Sequence, residues 1–190
     1  QVGTTVVISQ VYGAGGNSGA AYQNDFVELF NPTPSAQSLD GWSVQYASAT
    51  GTSWQVVSLP NFSLQPGQYF LVKLTSGGAT GAPLPTEDVS GSINMSGTNG
   101  KVALVNSTSA LSSCLPNAAI IDLVGYGTAN CFEGAAAAPV PGGNTNSVQR
   151  LDNGCRDSNN NGADVVAGAA NPRNSSSPTN TCGAASAVLF

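Results

Sequence analysis

The sequence predicts an all-β fold, an antiparallel sandwich of short strands with long loops and two disulfides. Three observations carry this. Short β-branched and aromatic runs recur between turn signals. Apolar residues nowhere recur at helical spacing across a dozen positions, and even the small-residue stretch 134–138 stops at Pro139. Four cysteines stand at 114, 131, 155 and 182 with no CxxC pair and no histidine to complete a zinc site.

The elements follow in order. Residues 5–12 are nearly continuous in apolar character, as a strand covered on both faces should be. A loop follows at 13–23, and residues 25–31 read as a buried strand stopped by Pro32 and Pro34. Trp42, Val44 and Tyr46 alternate with Ser43 and Gln45, and residues 54–59 are expected to pair with them across the turn Ala49-Thr50-Gly51-Thr52. Residues 69–74 come after the turn Gln65-Pro66-Gly67-Gln68, and residues 101–106 follow Asn99-Gly100, a hairpin signal. Residues 120–126 and 148–151 complete the set, and strands without crossover helices indicate a sandwich.

A chain of 190 residues suits one domain spanning 1–190. Only 8% of residues are charged, with Lys+Arg 5, Asp+Glu 10 and net charge -5, so the clustered cations that nucleic-acid binding needs are missing. Weak charge also permits self-association at little electrostatic cost. The cysteines read as disulfides formed in an oxidising compartment; of three possible pairings, Cys114 with Cys131 and Cys155 with Cys182 are favoured because each closes a local loop. No basic, apolar leader opens the chain and no stretch approaches the length of a membrane span, so the expectation is a mature secreted protein, extracellular or at the cell surface, without membrane insertion.

The absence of histidine excludes Ser-His-Asp and Cys-His catalysis and the usual neutral-pH general base. Asp25 and Glu28 are the nearest carboxylate pair, but residues three apart on a strand point to opposite faces, so Glu28 is expected instead to accept hydrogen bonds from loop amides and pin the following turn. The glycine-rich residues 13–19 lack GxGxxG spacing and lead into no helix, which makes them a flexible loop. Asp157-Ser158-Asn159-Asn160-Asn161-Gly162-Ala163-Asp164 matches the first half of a calcium loop, with Asp157, Asn159, Asn161 and Asp164 as candidate ligands, although Gly168 stands where a bidentate glutamate would complete it. The competing reading is an Asx-rich turn braced by Cys155. Trp42, Tyr46, Trp54 and Tyr69 form either a sugar-stacking platform or, as Val44 on the same face suggests, part of the core.

Four segments together resemble the lamin tail domain, specifically its secreted prokaryotic relatives: Val6-Val7-Ile8-Ser9-Gln10-Val11-Tyr12, Asp25-Phe26-Val27-Glu28-Leu29-Phe30-Asn31-Pro32, Leu39-Asp40-Gly41-Trp42-Ser43-Val44 and Leu64-Gln65-Pro66-Gly67. The resemblance covers about residues 5–126, and residues 150–174, with Asn171-Pro172-Arg173, resemble the C-terminal part of the same relatives. It implies an immunoglobulin-like sandwich with no catalytic centre of its own, a module that works by binding or assembly. The serine- and glycine-rich loop and the apolar tail beyond Cys182 depart from the family pattern, and specificity is expected there.

The leading expectation is therefore a non-catalytic structural protein, a homo-oligomer or polymer of a surface filament or matrix. Its contacts are expected through the N-terminal strand and the C-terminal extension 183–190, above all Val188, Leu189 and Phe190. The alternative is a secreted recognition module for a surface glycan or another surface ligand.

Overall fold

A computed structural model describes residues 1–183. Among these residues the strands are, in chain order, β1 (Val7–Tyr12), β2 (Phe26–Phe30), β3 (Gln37–Ser38), β4 (Ser43–Ala47), β5 (Gln55–Ser58), β6 (Ser63–Leu64), β7 (Tyr69–Lys73), β8 (Val89–Ser90), β9 (Gly100–Val105), β10 (Ile120–Tyr126), β11 (Asn146–Arg150) and β12 (Val165–Ala169). They form a six-stranded sheet in the order β12-β11-β1-β2-β7-β8, a four-stranded sheet in the order β10-β9-β4-β5, and the small pair β3-β6. The ladders are antiparallel except β7 with β8, which is parallel.

The two main sheets enclose one apolar layer. Val6, Ile8, Val11, Val27 and Leu29 face Val44, Tyr46, Val102, Leu104 and Val124 across it. Alternation along each strand puts the remaining side chains on the outer faces, yet β1, β2, β4 and β9 are buried along their whole length. Covering segments explain this.

Over the four-stranded sheet, Ala47, Trp54, Ala103, Val105 and Leu123 meet Leu111, and the Cys114–Cys131 disulfide packs against the group. Gln45 ties the cover down, donating to the Ser109 carbonyl at 2.8 Å and accepting from the Leu111 amide at 2.9 Å. Over the six-stranded sheet, Val7, Phe30 and Tyr69 meet Cys155, which is bonded to Cys182. Residues 171–182 cross that face: Gln10 donates to the Asn171 carbonyl, Gln68 to the Ser175 carbonyl, and the Asn180 amide to the Gly67 carbonyl, each at 2.9 Å. The C-terminal segment thus straps its own sheet as far as Cys182.

Several sequence-based expectations change. Asn99-Gly100 turns no hairpin; β9 starts at Gly100 and pairs with the earlier β4 and with the next strand, β10, neither of them joined to it through that dipeptide. A single helical turn, α1 (Asn161–Asp164), occurs where only a loop was expected. The stretch 13–19 is not a loose loop throughout, because residues 13–16 are buried. A Cβ on Gly15 would run into the backbone of Asn24 and Asp25, so this close approach requires glycine.

Candidate functional site

Two buried ion pairs organise the polar interior, and neither was anticipated from the sequence. The first joins strap to sheet. A register shift between Ile8 and Gln10 leaves Ser9 outside the β1–β2 ladder, and its hydroxyl donates to the Glu28 carboxylate at 2.6 Å. Arg173 approaches from the strap, donating from Nη2 to Oε1 at 2.8 Å and from Nε to Oε2 at 3.1 Å, with its own amide on Oε2 at 2.8 Å. Its guanidinium lies over the Tyr69 ring at 3.9 Å. Burial still raises the Glu28 pKa, and the Arg173 bonds oppose that rise. Glu28 therefore secures a distant strap rather than the turn that follows it.

The second pair joins the two sheets. Arg150 on β11 donates from Nη2 to both Asp122 oxygens on β10, at 2.9 and 3.1 Å, and from Nε to the Ile8 carbonyl at 3.0 Å; the Ile8 amide returns a bond to Asp122 at 2.5 Å. Side chains thus stand in for ladder partners where β1 has left β11, whose pairing to β1 covers only Gln10 and Val11. Oxygens of Asp122, Glu133 and Asp157 lie within 4.8 Å of one another, with Arg150 bonded to two of the three residues. Burial pushes Glu133 up to about 8, reinforced by the Asp122 charge.

Asp25 and Glu28 fall on opposite faces. Asp25 accepts from the Gly15 amide and the Met95 amide, both at 2.9 Å, while Glu28 faces the strap. Burial pushes the Asp25 carboxyl up to about 7 against these two bonds. Both carboxylates thus accept from loop amides, as expected for Glu28, but Glu28 does so from the distant Arg173 and Asp25 from Gly15 and Met95.

Three of the four residues proposed for calcium, Asp157, Asn161 and Asp164, have side-chain oxygens engaged by protein donors, and Asn159 is exposed. Asp157 turns to Arg150 and accepts from the Asn159 amide at 3.2 Å, an Asx turn. Asn161 points inward, accepting from the Gly125 and Glu133 amides and donating to the Leu123 carbonyl at 2.8 Å. Asp164 accepts from the Ser158 amide and hydroxyl and from the Asn160 amide, and pairs with Arg156. A cation here would have to displace these donors. Of the aromatic residues, Tyr46, Trp54 and Tyr69 are buried and Trp42 packs against the main core, so they form no exposed row.

Val188, Leu189 and Phe190 lie outside the described residues. Just before them, Cys182 and Gly183 border an apolar groove of about 340 Å³ formed with Val2, Pro32, Pro34 and Pro66. Val2 is among the few large apolar side chains exposed among the described residues, at 43%. The prolines that stop β2 and initiate the turn before β7 build the groove's walls, so turn chemistry fixes its shape. Among the described residues no helix is long and apolar enough to cross a membrane, and the two disulfides fit an oxidising compartment.

Comparison with known proteins accords with this architecture. No curated protein sequence matches the chain. A solved structure of a DUF4876 family protein from Bacteroides thetaiotaomicron VPI-5482 superposes with a TM-score of 0.61 at 12% identity, covering 95% of this chain and 75% of that one, a likeness of fold. The Lamin Tail Domain family profile matches residues 1–128, from β1 through the end of β10. With two thirds of its length, including the core of both sheets, inside that match, the chain belongs to the lamin tail domain family.

Proposed function

We propose that the protein is a non-catalytic, secreted structural module that assembles with copies of itself, residues 184–190 of one copy seating in the apolar groove beside Cys182 of the next. The groove carries this reading: it is walled by Val2, Pro32, Pro34 and Pro66, and the segment that follows its rim is Ala184-Ala185-Ser186-Ala187-Val188-Leu189-Phe190. Burying such side chains is worth about 1.5–3 kcal/mol for each large one. A surface with only 8% charged residues opposes association weakly. Because residues 171–182 already strap the sheet, that part of the C-terminal segment is not available to a neighbour.

Light scattering after size exclusion, with negative-stain microscopy, tests this on three chains: the full sequence, a chain ending at Gly183, and Pro34→Glu, which places a charge at an exposed groove position. Oligomers or filaments of the full chain that are lost in both variants, with melting unchanged, are the expected result. A concentration-independent monomer, or the same assembly after truncation, overturns the proposal.

A further inference from the structure

The chain has five basic residues, and four of them face carboxylates: Lys73 pairs with Glu87, Arg150 with Asp122, Arg156 with Asp164 and Arg173 with Glu28. Lys101 has no carboxylate partner among the described residues. It is nonetheless buried, at 3% exposure, on the outer face of β9 beneath the cover held by the Cys114–Cys131 disulfide. An ammonium has three donors. Two are accounted for, on the Gly51 carbonyl at 2.7 Å and on Asn130 Oδ1 at 2.8 Å, and the Trp54 ring lies 5.7 Å away.

Lys101 borders a cavity of about 230 Å³ that also takes in Thr52, Trp54, Ser112, Ser113 and Asn130. The side-chain groups around it are rich in donors. Asn130 has its oxygen held by Lys101, which leaves its Nδ2 hydrogens for another acceptor, and the hydroxyls of Thr52, Ser112 and Ser113 donate as readily as they accept. A buried cation with no carboxylate partner among the described residues, beside groups able to donate, is complementary to an anion with several acceptor oxygens. The volume lies below the range of about 300–1,000 Å³ usual for drug-sized ligands, so it suits an end group or a very small molecule.

We propose that this cavity is a binding site for a small carboxylate, with Lys101 as counter-ion and Asn130 and the neighbouring hydroxyls as hydrogen-bond donors. The carboxylate is supplied either by an acidic sugar or by a simple organic acid. Burial pushes the Lys101 pKa down, the direction that a bound anion would reverse. The cavity shares no residue with the groove at Cys182, so the site and the assembly proposal stand or fall separately.

Nuclear magnetic resonance titration of the full chain with D-glucuronate, D-glucose and acetate reads the two indole N–H signals and the backbone amides of Gly51 and Asn130. Glucuronate is expected to shift Trp54, Gly51 and Asn130 saturably and leave Trp42 in place, with affinity falling as salt rises. Tighter binding of glucuronate than acetate identifies an acidic sugar; equal binding identifies the bare carboxylate. Lys101→Met is expected to weaken binding by about tenfold or more, the usual consequence of losing a charged hydrogen bond. Asn130→Ala, at an exposed position, weakens it less and keeps the test valid should the lysine variant not fold. No saturable shift with either acid, or glucose binding as well as glucuronate, overturns the proposal.

Discussion

Replacing Arg173 with methionine tests whether one ion pair holds the strap to the sheet. Methionine keeps an apolar stem over Tyr69 and removes the guanidinium. Three side-chain bonds go: two to Glu28, at 2.8 and 3.1 Å, and one to the Tyr69 hydroxyl at 2.9 Å. Glu28, whose side chain is 0% exposed, keeps only Ser9, Gln10 and the residue-173 amide as donors. Stranding a buried carboxylate in this way costs about 3–5 kcal/mol, a large share of a typical stability of about 5–15 kcal/mol. The reciprocal change, Glu28→Gln, leaves a guanidinium with 19% of its side chain exposed and still bonded to Tyr69, so its cost is smaller, about 1–2 kcal/mol. Protonation distinguishes the mechanism from mere lost packing. Burial already raises the Glu28 pKa, and removing the cation raises it further, so the Arg173→Met deficit should shrink as acid neutralises Glu28. Urea unfolding followed by near-ultraviolet circular dichroism at pH 4.5 and 7.5 measures both points. Faster amide exchange at Ser175 and Asn180 would localise the loosening to the strap. A deficit below about 1 kcal/mol at pH 7.5, or one that does not change with pH, refutes the reasoning.

Two further outcomes follow from the buried carboxyls and the second disulfide. Asp25 sits at about 7 against its ordinary 3.8, so folding holds its proton more tightly by about 4 kcal/mol. That stabilisation is fully present below about pH 4 and is lost as pH rises through about 7, so urea unfolding across pH 4–8 should show declining stability that Asp25→Asn makes shallower, Glu133 contributing the remainder of the slope. Replacing Cys155 and Cys182 together with serine opens a closure spanning 27 residues and should lower stability by about 3.5 kcal/mol in the chain-entropy account, measured as a reduced urea midpoint.

Strands legible in the sequence are those where local chemistry and burial agree. Val6-Val7-Ile8 and Phe26-Val27-Glu28-Leu29-Phe30 carry β-branched and aromatic residues on both faces because both faces are covered. β12 escaped detection because Val165-Val166-Ala167-Gly168-Ala169 is small and half exposed, with no alternation to read. The Asp- and Asn-rich segment misled for a different reason. Its spacing suits a cation, but Asn161 uses its amide as a surrogate strand partner for Leu123 and Gly125 on β10. The ion pairs did leave a signal: Asp122 and Arg150 sit inside runs that otherwise read as buried, and a charge there requires a partner of opposite sign. Sequence alone does not choose that partner among distant strands.

Covering both outer faces changes where such a sandwich can interact. An immunoglobulin-like sheet usually has a broad solvent face to offer, but here the Cys114–Cys131 cover and the Cys182 strap occupy those faces with the chain's own residues. On the two proposals above, surface contacts fall at the seams between cover and sheet. Both clefts lie at such seams, and each has a disulfide on its border. A disulfide limits how far a cover can move, so a cleft at its margin keeps its shape without a ligand and costs less to order when one binds. The disulfides border the groove and the Lys101 cavity, and on the two proposals above reduction should weaken binding at each cleft before it unfolds the sheets.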